Sequence, residues 1–430
     1  NKNIDIPNSR SAWEIEGNNK LTPNTPIKLV WLNDQNIKFE KEISVDNQYL
    51  FTVKQTIINN SEKTYNFYPY GQIIRNEIPE ITNFFILHEG PIGVFDSELA
   101  EEDYDDIQDK PFSVNADRGW LGITDKYWIA SIIPQENRKF RADFDYKNKF
   151  RTNFIESNAT EIGANETKSN EIKILLAAKE VRIIDEYAKK LNIEKLDLVI
   201  DWGYLYFLTR PMWFALDYFF NLLGNYGLAI IAVTVCIRIV LFPLAQMSFR
   251  SMSRMKLLNP EMTRLKELHK EDKVKLQQEM MALYKREKVN PMSGCLPILP
   301  MIFIFFSLYK VLFVTLDGRH EPFFLWIKDL SERDPTSIFN LFGLIPWDPP
   351  TFLLIGAWPI LMGISMYIQQ LLNPQMPDPV QRKIFQFFPL VLTIILAPFP
   401  SGLVIYWTVN NVLQMGQQYL VLRQTKIKTT

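Results

Sequence analysis

Cysteine is almost absent from this chain of 430 residues: there are two, Cys236 and Cys295. Both fall in or beside apolar runs, where a cysteine reads as a small packing residue. Two such residues make neither a disulfide framework nor a thiolate metal site. The three histidines, His88, His269 and His320, lie in different segments, which argues against a zinc constellation. Nowhere does a nucleophile stand with its base, and no glycine-rich phosphate loop is present. The chain therefore reads as neither an enzyme nor the holder of a cofactor. Net charge is missing too: 47 Lys and Arg oppose 48 Asp and Glu, a balance that gives no footing for nucleic acid. The chain begins at Asn1 with no charged-then-apolar leader. The expectation is that an N-terminal piece carrying any export signal has been removed.

Long apolar runs are missing from the first 200 residues, which carry 25 Lys and Arg against 33 Asp and Glu. Between residues 28 and 176, apolar and polar positions alternate in IKLVWL, YLFTVKQTII, KYWIASII and FRADFDY, separated by Asn, Asp, Pro and Gly clusters. A period of two predicts antiparallel strands, here in sheets packed face to face. The acidic run ELAEEDYDDIQDK, residues 98–110, reads as a solvated loop. In KEVRIIDEYAKKL, Val181, Ile184, Tyr187 and Leu191 share one face and predict an amphipathic helix. Residues 1–192 thus read as a binding or scaffolding β domain.

After residue 200 the text changes. WGYLYFLTRPMWFAL is rich in Trp and Tyr, which concentrate at membrane interfaces, so residues 193–217 read as an interfacial segment leading into a first span. Five apolar runs follow, at 218–245, 295–316, 352–372, 384–398 and 401–422. Each is read as a helix crossing ~30 Å of hydrocarbon at about 1.5 Å per residue, the fourth only if extended back toward residue 380. Residues 218–422 become a five-helix membrane core and 423–430 a tail. The loop 247–291 holds 11 Lys and Arg and 6 Asp and Glu, whereas the loop 317–350 holds 3 and 6. Positive loops stay inside. The first loop and the tail are then cytoplasmic, and the second loop and the β domain lie on the exported side.

The loop 247–291 is itself periodic. Met252, Met255, Leu258, Met262, Leu265 and Leu268 recur at helical spacing, and Leu276, Met280 and Leu283 resume it after HKED. Two antiparallel helices are predicted. Seven of the 13 methionines lie between 247 and 292, and a flexible thioether suits a surface that accepts varied apolar partners. Met252, Met255, Met262, Met280 and Met281 are therefore candidates for recruiting a cytoplasmic partner. The plainer reading has them only zipping the two helices together.

Arg238 is the residue the composition does not explain. It sits inside IAVTVCIRIVLFPLAQ, and in an unbroken 218–245 helix it lies roughly 10 Å or more from the nearer end, beyond easy snorkelling. Burying a guanidinium at that depth costs at least ~2.5 kcal/mol. The five apolar cores contain no Asp or Glu, so water, hydroxyls, amides or a visiting ligand must solvate it. The alternative is satisfaction by backbone carbonyls at proline-broken helix ends. Thr234 lies one turn earlier on the same face, and Gln369, Tyr406, Asn410, Asn411 and Gln414 are the polar candidates on other spans. The same lack of carboxylates speaks against a proton-coupled transporter. The lack of any repeated ring of charge speaks against a channel.

Several blocks stand in order: DWGYLYFLTRP, the arginine span followed by FPL, QQEMMALYKREKVNPMSGCLP, PFFLWIKDLSERDP and FPSGLVIYWTVNN. Over residues 201–422 they resemble the YidC/Oxa membrane protein insertases, specifically the bacterial type with a large periplasmic domain. FTVKQTIINNSEKTYNFYPYGQI is similar to part of that domain. The resemblance implies a multidomain fold. A periplasmic all-β sandwich, supersandwich-like and N-terminally truncated, precedes an α-helical five-transmembrane-helix insertase core with a cytoplasmic helical hairpin. It also implies a multi-pass protein of the bacterial inner membrane, with nascent membrane proteins, the Sec translocon and the lipid bilayer as partners. Ribosome contact is a further implied partnership, one that the short basic tail weakens. The implied groove is hydrophilic, open to cytoplasm and lipid, and closed toward the exported side. Arg238 and Thr234 line it, Phe305, Tyr406 and Trp407 touch substrate, and Gln369, Asn410 and Gln414 add polar groups.

Two departures mark this chain. CLPILPMIFIFF places Pro300 early and has no glutamine where the family commonly has a Gln-Met-Pro or Gln-Ile-Pro step. The stretch FNLFGLIPWDPP, residues 339–350, looks like an insertion. Two other functional readings stay open: an assembly subunit of the secretion channel whose groove merely shelters emerging helices, and a solute transporter.

Overall fold

Strands lie where the period of two predicts them. The structure is a computed structural model that describes residues 4–79, 87–287, 289, 296, 298–347, 349–350, 353–372 and 379–427. It divides into two compact units, one reaching to Asp201 and one beginning at Trp202, with residues 314–316 grouped with the first.

In the first unit a nine-stranded antiparallel sheet runs in the order β1 (Glu14–Glu16), β2 (Ile27–Leu32), β3 (Ile37–Val45), β4 (Leu50–Asn59), β15 (Thr167–Ala178), β11 (Trp128–Ile133), β10 (Gly119–Thr124), β7 (Gly90–Phe95) and β8 (Glu98–Glu101). A second sheet takes the order β6 (Tyr70–Arg75), β13 (Phe150–Glu156), β12 (Phe140–Tyr146) and β9 (Phe112–Ala116), and β5 (Tyr65–Phe67) pairs with β14 (Thr160–Ile162). Phe140, Ala142 and Phe144 alternate along β12 and face Leu121, Ile132 and Ile172 of the larger sheet across one core. Each phenylalanine is at most 1% exposed, and burying such a side chain contributes about 1.5–3 kcal/mol. This is the β-sandwich.

The acidic run 98–110 is not a loop. It forms β8 and the short helix α1 (Tyr104–Asp109), because Tyr104 and Ile107 are apolar enough to be buried beneath the solvated carboxylates. The amphipathic helix appears as α2 (Val181–Lys190), burying Val181, Ile184 and Tyr187. Its Tyr187 hydroxyl donates to Asp46 Oδ2 at 2.6 Å. Burial pushes the Asp46 carboxyl up, but Tyr187 and the backbone N–H groups of Leu50 and Gln48 outweigh it and hold the group below the usual carboxylate range.

The second unit is helical. It contains α3 (Tyr206–Leu223), α4 (Tyr226–Val240), α5 (Phe242–Leu268), α6 (Lys273–Arg286), α7 (Ile298–Val314), α8 (Ala357–Leu372), α9 (Pro379–Leu396) and α10 (Ser401–Ile427). Here the expected 218–245 helix is corrected. Gly224 adopts φ +66° and receives the closing bond of α3, its N–H donating to Phe220 O at 2.8 Å. Asn225 then starts α4 by accepting Leu228 N–H. A second break follows at Leu241, where Pro243 has no N–H to continue the ladder. Arg238 is therefore in the last turn of α4, where a cation complements the helix C-terminus, rather than in mid-helix. Among the described residues no single helix is long and apolar enough to cross a membrane. Tyr226–Val240 and Phe242–Met255 meet that test only together, bent by 64°, and Leu299–Val314 is a shorter apolar helix.

The segment joining α7 to α8 ties helices of this unit together. Asp317 accepts from Trp213 Nε1 at 2.7 Å, and Pro322 O accepts from Asn225 Nδ2 at 3.1 Å. Glu332 O accepts both Ser401 N–H at 2.7 Å and Ser401 Oγ at 2.6 Å. The buried carboxylate of Asp334 accepts from Trp326 Nε1, Thr336 N and Oγ1, and the Trp358 N–H at the start of α8. Four donors satisfy a charge that is only 2% exposed.

Candidate functional site

Helix α10 is the organising element of the site. Its residues Asn410, Gln414 and Gln417, at i, i+4 and i+7, turn toward α4, while Asn411 and Gln418, at i and i+7, turn toward α8. On the first side Arg238 Nε donates to Asn410 Oδ1 at 2.7 Å, and Nη2 donates to Asn410 O at 3.0 Å and Gln414 Oε1 at 2.9 Å. Gln417 Nε2 returns a bond to Arg238 O at 3.1 Å, beside the break that ends α4. On the second side Asn411 Nδ2 donates to Ser365 Oγ at 2.9 Å, and Gln418 Nε2 to Leu372 O at 3.3 Å.

Amides and one carbonyl, rather than a carboxylate, therefore hold Arg238. Its Nη1 donates to no described residue, although the side chain is only 6% exposed. Beside the guanidinium there is open space. That space is a cavity of about 520 Å³ lined by Arg238 and by α5, α7, α8, α9 and α10. Part of its wall is apolar and outward-reaching: Ile302, Phe306, Phe385 and Phe388 are 43–47% exposed. Phe305 and Trp407, both in the lining, meet edge to face with ring centroids 4.8 Å apart.

Of the expected groove residues, Arg238, Phe305, Gln369, Tyr406, Trp407, Asn410, Asn411 and Gln414 line this cavity. Thr234 does not. It is 1% exposed, and its hydroxyl donates back to Ile230 O at 2.7 Å, inside its own helix. Ser248, Met301, Met366 and Gln370 also line the cavity and were not singled out. Gln370 adjoins Gln369 in the sequence, and its Oε1 is buried without a hydrogen-bond partner among the described residues. A second polar residue beside the first was the available signal.

The methionines divide. Met262 is buried, with its sulfur 3.9 Å from the Tyr284 hydroxyl of α6, and Arg286 reaches Glu261 at 2.6 Å across the same pair of helices. Met252 packs with Ala245, Phe249 and Val421 and also lines the cavity. Met255 and Met280 are half-buried, and Met281 is 51% exposed. Pro300 lies in α7, and Cys295 lies outside the described residues.

Comparison with known proteins covers both parts of the chain. Residues 1–215 match the family described as the YidC periplasmic domain, and residues 218–429 the family described as the 60Kd inner membrane protein. A membrane protein insertase YidC from Pelagibacter ubique is 66% identical over 430 residues, spanning 100% of this chain and 77% of that protein. The proteins of the same name from Rickettsia prowazekii and Brucella suis are 47% and 46% identical, spanning 97% and 98% of this chain and 76% and 70% of their own lengths. A crystal structure of an active YidC insertase, with its first transmembrane domain resolved, aligns over 95% of this chain and 83% of that one at 16% identity and a TM-score of 0.42.

Proposed function

Because the chain belongs to the YidC family of membrane protein insertases, we propose that Arg238 is the receptor for polar segments of nascent membrane proteins on their way into the inner membrane. The observation that carries this reading is the guanidinium itself. Three hydrogen bonds from it go to uncharged acceptors, so no carboxylate neutralises its positive charge, and it lines a cavity whose wall is in part apolar. A polar or acidic tail is held there transiently while the apolar helix behind it slides out along Ile302, Phe306, Phe385 and Phe388 into lipid. Lowering the desolvation barrier for the tail is the catalysis, and no covalent step is required. The driving force is burial of the substrate's apolar helix, together with the membrane potential at roughly 2.3 kcal/mol per charge per 100 mV.

In this reading α4 with the start of α5, then α7, α8, α9 and α10 make five crossings, and α3 lies in the interface. The support is the apolar exposure of these helices: Ile364, Leu390 and Ile394 are each at least 50% exposed. On α3, Phe207, Phe214, Tyr218 and Leu222 form one exposed stripe. The α5–α6 pair is a cytoplasmic hairpin, with Met281 among the residues free to recruit substrate or its carrier. The β domain is periplasmic. Sec translocon components are working partners, and ribosome contact through the short tail is slight.

The test is reconstitution of the Arg238→Ala chain alone in liposomes. It fails to insert a short substrate with an acidic tail, and full insertion by that variant overturns the proposal.

A further inference from the structure

The segment between Ser337 and Trp347 is built unlike the rest of its loop. It contains no charged residue, whereas residues 317–335 contain three Lys and Arg and five Asp and Glu. Its large side chains point outward: Phe339, Leu341, Phe342, Leu344, Ile345 and Trp347 are 41–83% exposed. Leu341 and Phe342 adopt left-handed backbone conformations, at φ +48° and +57°. Such a conformation costs a bulky residue roughly 1–2 kcal/mol, so the apolar side chains are held outward against local preference.

The backbone, in contrast, is satisfied from within. Phe342 N–H donates to Ser337 O at 2.8 Å, Ile345 N–H to Asn340 O at 3.0 Å, and Gly343 N–H to Asn340 Oδ1 at 3.1 Å. Ser337 Oγ fixes the base by donating to Leu353 O at 3.0 Å. Self-satisfied backbone beneath a charge-free apolar tip is what an environment poor in water demands. The base is anchored at the start of α8, where Thr336 Oγ1 accepts Ala357 N–H and Asp334 accepts Trp358 N–H. The base of the finger is therefore tied to the start of α8.

We propose that residues 338–347 are a membrane finger, inserted into the exported-side interface of the bilayer next to the end of α8. The inference rests on the reading that α8 crosses the membrane. Its occupant is lipid because its base is bonded to the start of α8, a helix that on that reading faces lipid, because residues 338–347 carry no charge to pair with a protein partner, and because it ends on Trp347, a residue type suited to the interface. It fixes the depth and tilt of α8, one wall of the cavity.

The test uses the full chain with Cys236 and Cys295 replaced by Ser, one cysteine at Leu344 or Ile364, and an environment-sensitive fluorophore on that cysteine. The chain is placed in vesicles of phosphatidylethanolamine and phosphatidylglycerol doped with a phosphatidylcholine carrying a nitroxide near the acyl carboxyl end. Emission from position 344 is expected to shift to the blue, to be lost to the nitroxide lipid, and to resist iodide. Quenching by iodide alone at 344, while 364 is quenched by lipid, overturns the finger and leaves the membrane reading standing. Silence toward both quenchers at 344 means protein cover, by a second copy or a partner, and also overturns it. Lipid silence at 364 overturns the membrane reading and the finger with it. Should the cysteine-free chain not fold, brominated lipid applied to the wild type and to Trp347→Phe gives the same reading. The variant then loses part of the lipid-quenched emission, and an unchanged quenched fraction overturns the finger.

Discussion

A buried cation is ordinarily matched by a carboxylate, and the consequence of matching Arg238 with amides is that its charge stays available. Asn410 is the residue that decides this, because it meets both Nε and Nη2. Asn410→Asp is nearly isosteric and places a carboxylate 2.7 Å from Nε, where the side-chain amide oxygen now accepts. The pair formed satisfies the guanidinium better than an amide does and competes with any acidic tail. The expected outcome is that thermal stability in detergent holds or rises, while insertion of an acidic-tailed substrate falls about tenfold relative to the same substrate with a neutral tail. That ratio corresponds to about 1.4 kcal/mol of lost attraction. A merely structural role would lower both substrates alike, and equal losses would remove Asn410 from the mechanism. Arg238 was legible as a lone charge among apolar residues, and its partners were legible as the polar positions on the last span. Thr234 was misplaced because sharing a helical face with Arg238 says nothing about where a hydroxyl bonds, and a carbonyl four residues back competes for it.

Helix existence was readable from apolar runs, but the breaks were not, since Gly224 and Leu241 interrupt a stretch whose hydropathy is continuous. The signals were local: glycine followed by asparagine is a helix stop and a helix start in adjacent positions, and Phe-Pro leaves Ile239 O without a ladder donor. Likewise the acidic run 98–110 hid a helix because charge outweighed the buried pair Tyr104 and Ile107. Pairing between elements is less legible still. Helices α8 and α9 approach through Gly363, where an added Cβ would lie 2.2 Å from Thr393 Oγ1 and 3.3 Å from Thr393 Cβ. Gly363→Ala is therefore expected to cost about 1–3 kcal/mol through overpacking, read as a lowered melting temperature of the purified chain. Adding Thr393→Ala removes the clashing oxygen and gives up the bond from Thr393 Oγ1 to Pro389 O, so the double variant should melt above the Gly363→Ala single variant. Strictly additive losses would show that the helices do not meet there.

At the scale of the whole helical unit, closure and polarity sit at different depths. Helix α4 begins at Asn225, bonded to Pro322 O, and reaches Arg238 thirteen residues later, roughly 20 Å along its axis. Helix α10 begins at Ser401, bonded to Glu332 O, and reaches Asn410 and Gln414 after nine and thirteen residues. The loop that carries Pro322, Glu332 and Asp334 is bonded to the start of both helices and on the proposed reading seals that end, and the guanidinium lies toward the other end. The same loop is the acidic one, with 3 Lys and Arg to 6 Asp and Glu, whereas the segment beyond Arg238 has 11 to 6. On the proposed reading, retention of positive loops puts the end held by this loop outside and the other end in the cytoplasm, where substrates are made. Leu325 is 83% exposed in the sealing loop, and Leu268 is 70% exposed at the end of α5. In right-side-out vesicles a membrane-impermeant maleimide should label Leu325→Cys directly and Leu268→Cys only after lysis, each in the chain lacking Cys236 and Cys295. The reverse pattern would open the groove to the wrong compartment, and Arg238 could not then receive a tail delivered from the cytoplasm.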